Sequence, residues 1–241
     1  MKDPQNDDDH MAAILVLAAT VAFVVSPFVT AGFNGFEPDQ FPVPQDDPPI
    51  QPAGYAFSIW GLIYAWLVVH ACVGLFLRAD DPDWRPVRWP LVGSLAVGAA
   101  WIPAANLSPP VATVMIWLML AGALGALFRS SQVDRWRLQA PLAIYAGWLT
   151  AASFVALGLT LPGYGIGFGA EVWGIVLLVA ALVFAALVQL RLDRAPEYGA
   201  TVVWALVAIA VQNWGTAWIM VALAAAGCAV LAALARRSMT V

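Results

Sequence analysis

The chain has 241 residues, 62% of them hydrophobic and only 11% charged, with a formal net charge of −4. A soluble domain is nearer half apolar and a quarter charged, so no soluble fold could hide this much apolar surface. The acidic balance, with nothing resembling a basic patch, excludes nucleic acid as a partner.

Lipid must therefore be the solvent for most of the chain, and in lipid only helices or closed barrels satisfy their backbone groups. The apolar runs are long, continuous and rich in Ala, Leu and Val, without the alternation a barrel strand needs. The expected class is an all-α integral membrane protein. Residues 1–10 form a polar, acidic stretch ahead of Met11, and His10-Met11 matches a common cloning junction. The expectation is an N-terminal tail outside the fold, part of it a tag.

About 20 apolar residues cross the hydrocarbon core. On that ruler the spans fall near 11–31, 54–77, 90–107, 110–129, 139–160, 170–190, 199–213 and 216–235, eight in all. The seventh is short, because the polar turn Gln212-Asn213-Trp214-Gly215-Thr216 splits an apolar run too long for one crossing. Pro103 should kink the third span, and Pro27 should disturb the end of the first.

Charge supplies a test that hydropathy did not use, since cytoplasmic loops collect Lys and Arg. Lys2 precedes the first span; Arg78, Arg85 and Arg88 follow the second; Arg129, Arg135 and Arg137 the fourth; Arg191 and Arg194 the sixth; Arg236 and Arg237 the eighth. All 11 basic residues thus lie on one face, and seven or nine spans would break the pattern. Both termini are expected in the cytoplasm, with the protein in the cell membrane. On the opposite face, residues 32–53 are Pro-rich and carry Glu37, Asp39, Asp46 and Asp47 without a base. This connection is either a solvated linker or, through Phe33, Phe36 and Phe41, a lid over a cavity mouth.

No phosphate loop, metal-spaced His/Cys cluster or nucleophile motif appears, so no catalytic residue and no metal is assigned, and an enzyme is the less favoured class. The sole lysine, Lys2, lies outside every span, which excludes a retinal Schiff base. The spans hold no mid-membrane carboxylate pair, which argues against a proton pump. Glu171 fits a helix N-terminus at the outer face. His70 reads as a neutral side chain bonded to a neighbouring helix or as a functional intramembrane group. Cys72 and Cys228 lie in apolar segments and are expected unpaired. Of 12 tryptophans, Trp84, Trp89, Trp136, Trp214 and Trp218 sit near span ends as interfacial anchors. Trp60, Trp66, Trp101, Trp117, Trp148, Trp173 and Trp204 lie within spans, where each either packs against helices or lines a cavity for a flat ligand.

The string Pro52-Ala-Gly-Tyr-Ala-Phe-Ser-Ile-Trp60-Gly-Leu-Ile-Tyr64 resembles the second helix of the TspO/translocator protein family, the tryptophan-rich sensory proteins. Trp101-Ile-Pro103 is similar to the Trp-Ser-Pro of that family's third helix, and Tyr145-Ala-Gly-Trp148 to the Tyr-x-x-Trp of its fifth. The Pro-rich connection matches its large first loop. Gly98 and Ala156 stand where the family commonly carries Asn. The likeness covers about 11–160; Trp204-Ala-Leu-Val-Ala-Ile-Ala resembles a helix of a longer branch. The implied organisation is a tail at 1–10, a five-helix bundle at 11–165 and a three-helix extension at 166–241.

The resemblance implies a membrane receptor or carrier for a flat hydrophobic ligand: a tetrapyrrole such as haem or protoporphyrin, or a sterol-like molecule, with no cofactor required. Trp60, Tyr64, Trp101, Tyr145 and Trp148 would line its site, with Tyr55, Phe57 and Pro103 shaping the mouth or wall. Two alternatives are light-dependent porphyrin breakdown and a structural role toward a protein partner, lipid or carotenoid. Membrane lipids are expected partners, and the small-residue faces allow a homodimer.

Overall fold

The computed structural model describes residues 4–30, 33 and 35–237, and among them there is no β-strand. Among the described residues nine α-helices form eight rods: α1 (Pro4–Val29), α2 (Ile59–Phe76), α3 (Arg85–Ala99) with α4 (Trp101–Leu107), α5 (Pro109–Arg129), α6 (Ala140–Gly163), α7 (Ala170–Leu192), α8 (Pro196–Gln212) and α9 (Trp218–Arg237). A 3₁₀ turn, Gly54–Ser58, leads into α2, and a π-helical turn, Arg135–Gln139, leads into α6. Seven rods are long and apolar enough to cross a membrane, which makes this an integral membrane protein. The remaining rod, α8, has 17 residues. At about 1.5 Å per residue it is roughly 26 Å long.

The third rod breaks at Ala100, for a reason written in the sequence. Pro103 has no N–H to give the Ala99 carbonyl, so the helix ends at Ala99 and restarts at Trp101. Pro27 has the milder effect expected of it, since α1 stops two residues later. Pro109 and Pro196 occupy the first positions of α5 and α8, where a missing N–H costs nothing.

The segment expected as a tail outside the fold behaves differently. The first helix already runs from Pro4, and Asp9 meets Arg85 at 2.8 Å while its carbonyl accepts from Arg88 at 2.9 Å. Arg88 is almost fully buried and must satisfy its donors, which it does on the carbonyls of Asp9, Arg78 and Ala79. These charges, with Arg78–Asp134, Arg135–Glu197 and the Arg194 contacts to Phe128 and Ser130, knit one end of the bundle.

At the centre stands α6, buried around its whole circumference from Ala140 to Thr150. It touches α2, α5, α7 and α8; α1 and α3 pack on the α5 side and α9 on the α7–α8 side. Small residues permit this crowding: a Cβ on Gly147 would lie 2.6 Å from the Tyr198 carbonyl, and one on Gly122 would lie 2.7 Å from that of Pro90. Buried hydroxyls pair across the contacts, Tyr145 with Ser94 at 2.9 Å and Tyr198 with Thr150 at 3.0 Å.

Candidate functional site

Where α2, α4, α5, α6 and α8 converge beneath the first long connection lies an apolar cavity of about 60 Å³. Its aromatic wall is Phe57, Trp60, Trp101 and Trp148; Ala152, Ala156, Ala205 and Ile209 supply smooth sides, and Phe33, Gly35 and Phe36 form the roof. None of its lining residues is titratable. Trp101 turns its Nε1 away to donate to the Ala112 carbonyl at 2.9 Å.

Each ring is held by another. Trp60 meets Trp148 edge-on at 6.1 Å, Phe57 meets Trp148 edge-on at 5.9 Å, and Trp60 stacks on Tyr64 at 5.3 Å. Phe33 caps Trp101 edge-on at 4.8 Å and leans on Phe36, which leans on Phe41. Such contacts favour one arrangement through ring quadrupoles and leave the faces apolar.

Of the eight residues expected at the site, Phe57, Trp60, Trp101 and Trp148 line the cavity and four do not. Tyr64 stands behind Trp60 as its support. Tyr145 is fully buried and spends its hydroxyl on Ser94, below the cavity floor. Tyr55 is half-exposed against Trp204 on the outer flank. Pro103 is exposed, and its contribution is the break that turns Trp101 inward.

Residues outside the expected site complete the picture. Phe23 of α1 wedges between Trp60, Tyr64 and Tyr145, at 5.8, 5.3 and 5.8 Å. It also explains Gly98: a Cβ there would lie 2.8 Å from the Phe23 ring and 3.0 Å from Met119, so no Asn fits while Phe23 holds its slot. Ala205 and Ile209 bring the extension into the wall, and their small apolar side chains look like any lipid-facing pair in the sequence.

The long connection is a packed cover, not a solvated linker. Gln40 donates to the Ala105 carbonyl at 3.1 Å, Val43 N–H to Gly163 at 2.9 Å, and Ala53 N–H to Ala208 at 3.1 Å. Asn213 donates to the Pro49 carbonyl at 2.8 Å, and Trp204 Nε1 to that of Ala56 at 3.0 Å. Ile50 is buried against Gly158.

Away from the cavity, His70 Nδ1 lies 2.9 Å from the Arg137 carbonyl and its ring stacks on Trp84 at 5.0 Å. A carbonyl only accepts, so Nδ1 carries the proton, and the ring is bonded to the turn that leads into α6. Trp84 is buried rather than interfacial, whereas Trp89, Trp136, Trp214 and Trp218 are exposed as anchors should be. Both cysteines are free. No group of three or more metal-ligating side chains exists among the described residues.

The family model described as "TSPO-like protein" matches residues 11–236, and the chain belongs to that family. Membership supports a ligand-binding or sensory role in a membrane in general terms. No curated protein and no solved structure matches the chain.

Proposed function

We propose that this TSPO-like protein is a membrane receptor or carrier that binds a flat hydrophobic molecule, of tetrapyrrole or sterol-like type, in the aromatic cavity under its first long connection. The observation that carries the reading is the wall of Phe57, Trp60, Trp101 and Trp148, roofed by Phe33 and Phe36 and free of titratable groups. A stacked apolar ligand would meet faces rather than donors. The same lack of acid, base or nucleophile favours binding over catalysis.

Size adds a condition. Pockets that enclose drug-sized ligands run to about 300–1,000 Å³, whereas this cavity is about 60 Å³. A tetrapyrrole therefore requires the roof to swing out. Gly35, at φ +123°, sits between the two roof phenylalanines in backbone that only glycine adopts readily. The arginine-rich end, where α1 begins and α9 stops, faces the cytoplasm of the cell membrane in this reading, which puts the roof on the outer side.

Titrating the detergent-purified protein with protoporphyrin and following Trp fluorescence tests the proposal. Saturable quenching is expected, weakened at least tenfold by Trp148→Leu and by Trp101→Leu in variants that still melt cooperatively. Equal affinity in both variants would remove the ligand from this cavity.

A further inference from the structure

Beside the cavity, α2 and α8 make almost no direct contact, and the space between them is an open apolar groove of about 430 Å³. Its walls are Ile59, Leu62, Ile144, Ala200, Thr201 and Trp204. Both ends are closed by indoles. At one, Trp204 packs edge-on against Tyr55 at 5.5 Å. At the other, Trp66 Nε1 donates to the Trp136 carbonyl at 2.7 Å, and the two rings stack at 6.2 Å.

The second end is also charged. Arg135 lies over the Trp136 ring at 5.1 Å and donates through Nε and Nη2 to Glu197 Oε1, at 3.0 and 2.6 Å. Glu197 itself borders the groove. The pair fixes one edge of the guanidinium, yet the Arg135 side chain stays 40% exposed. A planar cation held in place by a carboxylate and an indole has donors left over in the geometry that phosphate oxygens accept.

Length agrees with that chemistry. From Ser58 to Trp66 the groove follows α2 for about 12 Å at ~1.5 Å per residue. One leaflet's hydrocarbon is about 15 Å deep, half of a ~30 Å core. Trp136, 59% exposed next to Arg135, has the place of a headgroup-level anchor. A chain lying in the groove would thus start beside a cation and run along α2 toward Ser58.

We infer that this groove is a binding site for one glycerophospholipid, with an acyl chain between α2 and α8 and the phosphate on Arg135. It is separate from the aromatic cavity and does not depend on what that cavity holds. The test is native mass spectrometry of the purified protein after incubation with palmitoyl-oleoyl phosphatidylglycerol. One lipid per chain should survive detergent exchange. Ala200→Phe, which places a ring in the groove from an exposed position, should abolish retention, and Arg135→Gln should lower it at least tenfold, with cooperative melting kept in both.

Retention unchanged in Ala200→Phe would overturn the proposal, as would a wild-type protein that keeps no lipid. If Arg135→Gln fails to fold, Ala200→Phe still decides. A wild-type dimer that Ala200→Phe splits, with lipid content unaltered, would give the groove to a second copy of the chain and overturn the lipid.

Discussion

Within one connection, two neighbouring stretches are held by different physics. From Gln40 to Ala56 the chain is pinned by hydrogen bonds to α4, α6 and α8 and by Ile50 in the core. Phe33, Gly35 and Phe36 make no hydrogen bond among the described residues and rest on ring edges instead. A pinned backbone next to a ring-held roof is the division a lid needs, because a hydrogen bond broken in an apolar setting costs far more than an edge contact slid aside. The C-terminal extension enters this division directly through α8: Asn213, Ala208 and Trp204 hold the pinned stretch.

The largest effect should come from destroying the anchor. Gly163 lies directly under the Phe41 ring while its carbonyl accepts from Val43. Gly163→Leu would drive Phe41 from its slot, at the upper end of the overpacking range, about 3 kcal/mol. A large fall in the melting temperature, read by intrinsic fluorescence in detergent, is expected. An unchanged melting temperature would mean that the anchored stretch contributes nothing to the fold.

A smaller effect belongs to the polar pin. Asn213 is buried, and its Nδ2 serves the Pro49 and Ile209 carbonyls, both at 2.8 Å. Asn213→Ala leaves the Pro49 carbonyl without this partner and should cost about 1–2 kcal/mol. Because this pin comes from outside the five-helix region, loosening it should also raise amide exchange at 50–53 more than in α1 or α3. Equal exchange throughout would show that the extension does not hold the cover.

How far the sequence foretold this follows from what hydropathy and charge can register. Span positions came through because apolar length is a one-dimensional property, and Pro103 announced the break at Ala100 because a missing N–H is local. The packing of α6 left a trace in Ala143, Ala146, Gly147, Thr150 and Ala151, small residues along one stripe of the helix, whereas its burial on the other sides shows only in the packing. The cavity was half legible: Trp60, Trp101 and Trp148 carry a family pattern. Phe23 carries none, and the likeness of the string that holds Ala205 and Ile209 names a helix and no wall, since in lipid a wall residue and a lipid-facing one obey the same chemistry. The opening helical turns of α1 were missed because their reason, Arg85 and Arg88 seeking partners, lies some 80 residues away.

The smallest stability effect and the most informative outcome belong to the roof. Phe33 is partly buried, so Phe33→Ala removes an edge contact to Trp101 and part of its apolar burial, about 1 kcal/mol or less. Its effect on ligand traffic should be larger than its effect on melting. If the roof must move before a flat molecule enters, stopped-flow quenching with protoporphyrin should show association several-fold faster in Phe33→Ala than in the wild type. Dissociation should be faster too, so affinity would change less than either rate. Unchanged rates would mean that the ring-held stretch is no gate, and entry would have to pass between helices.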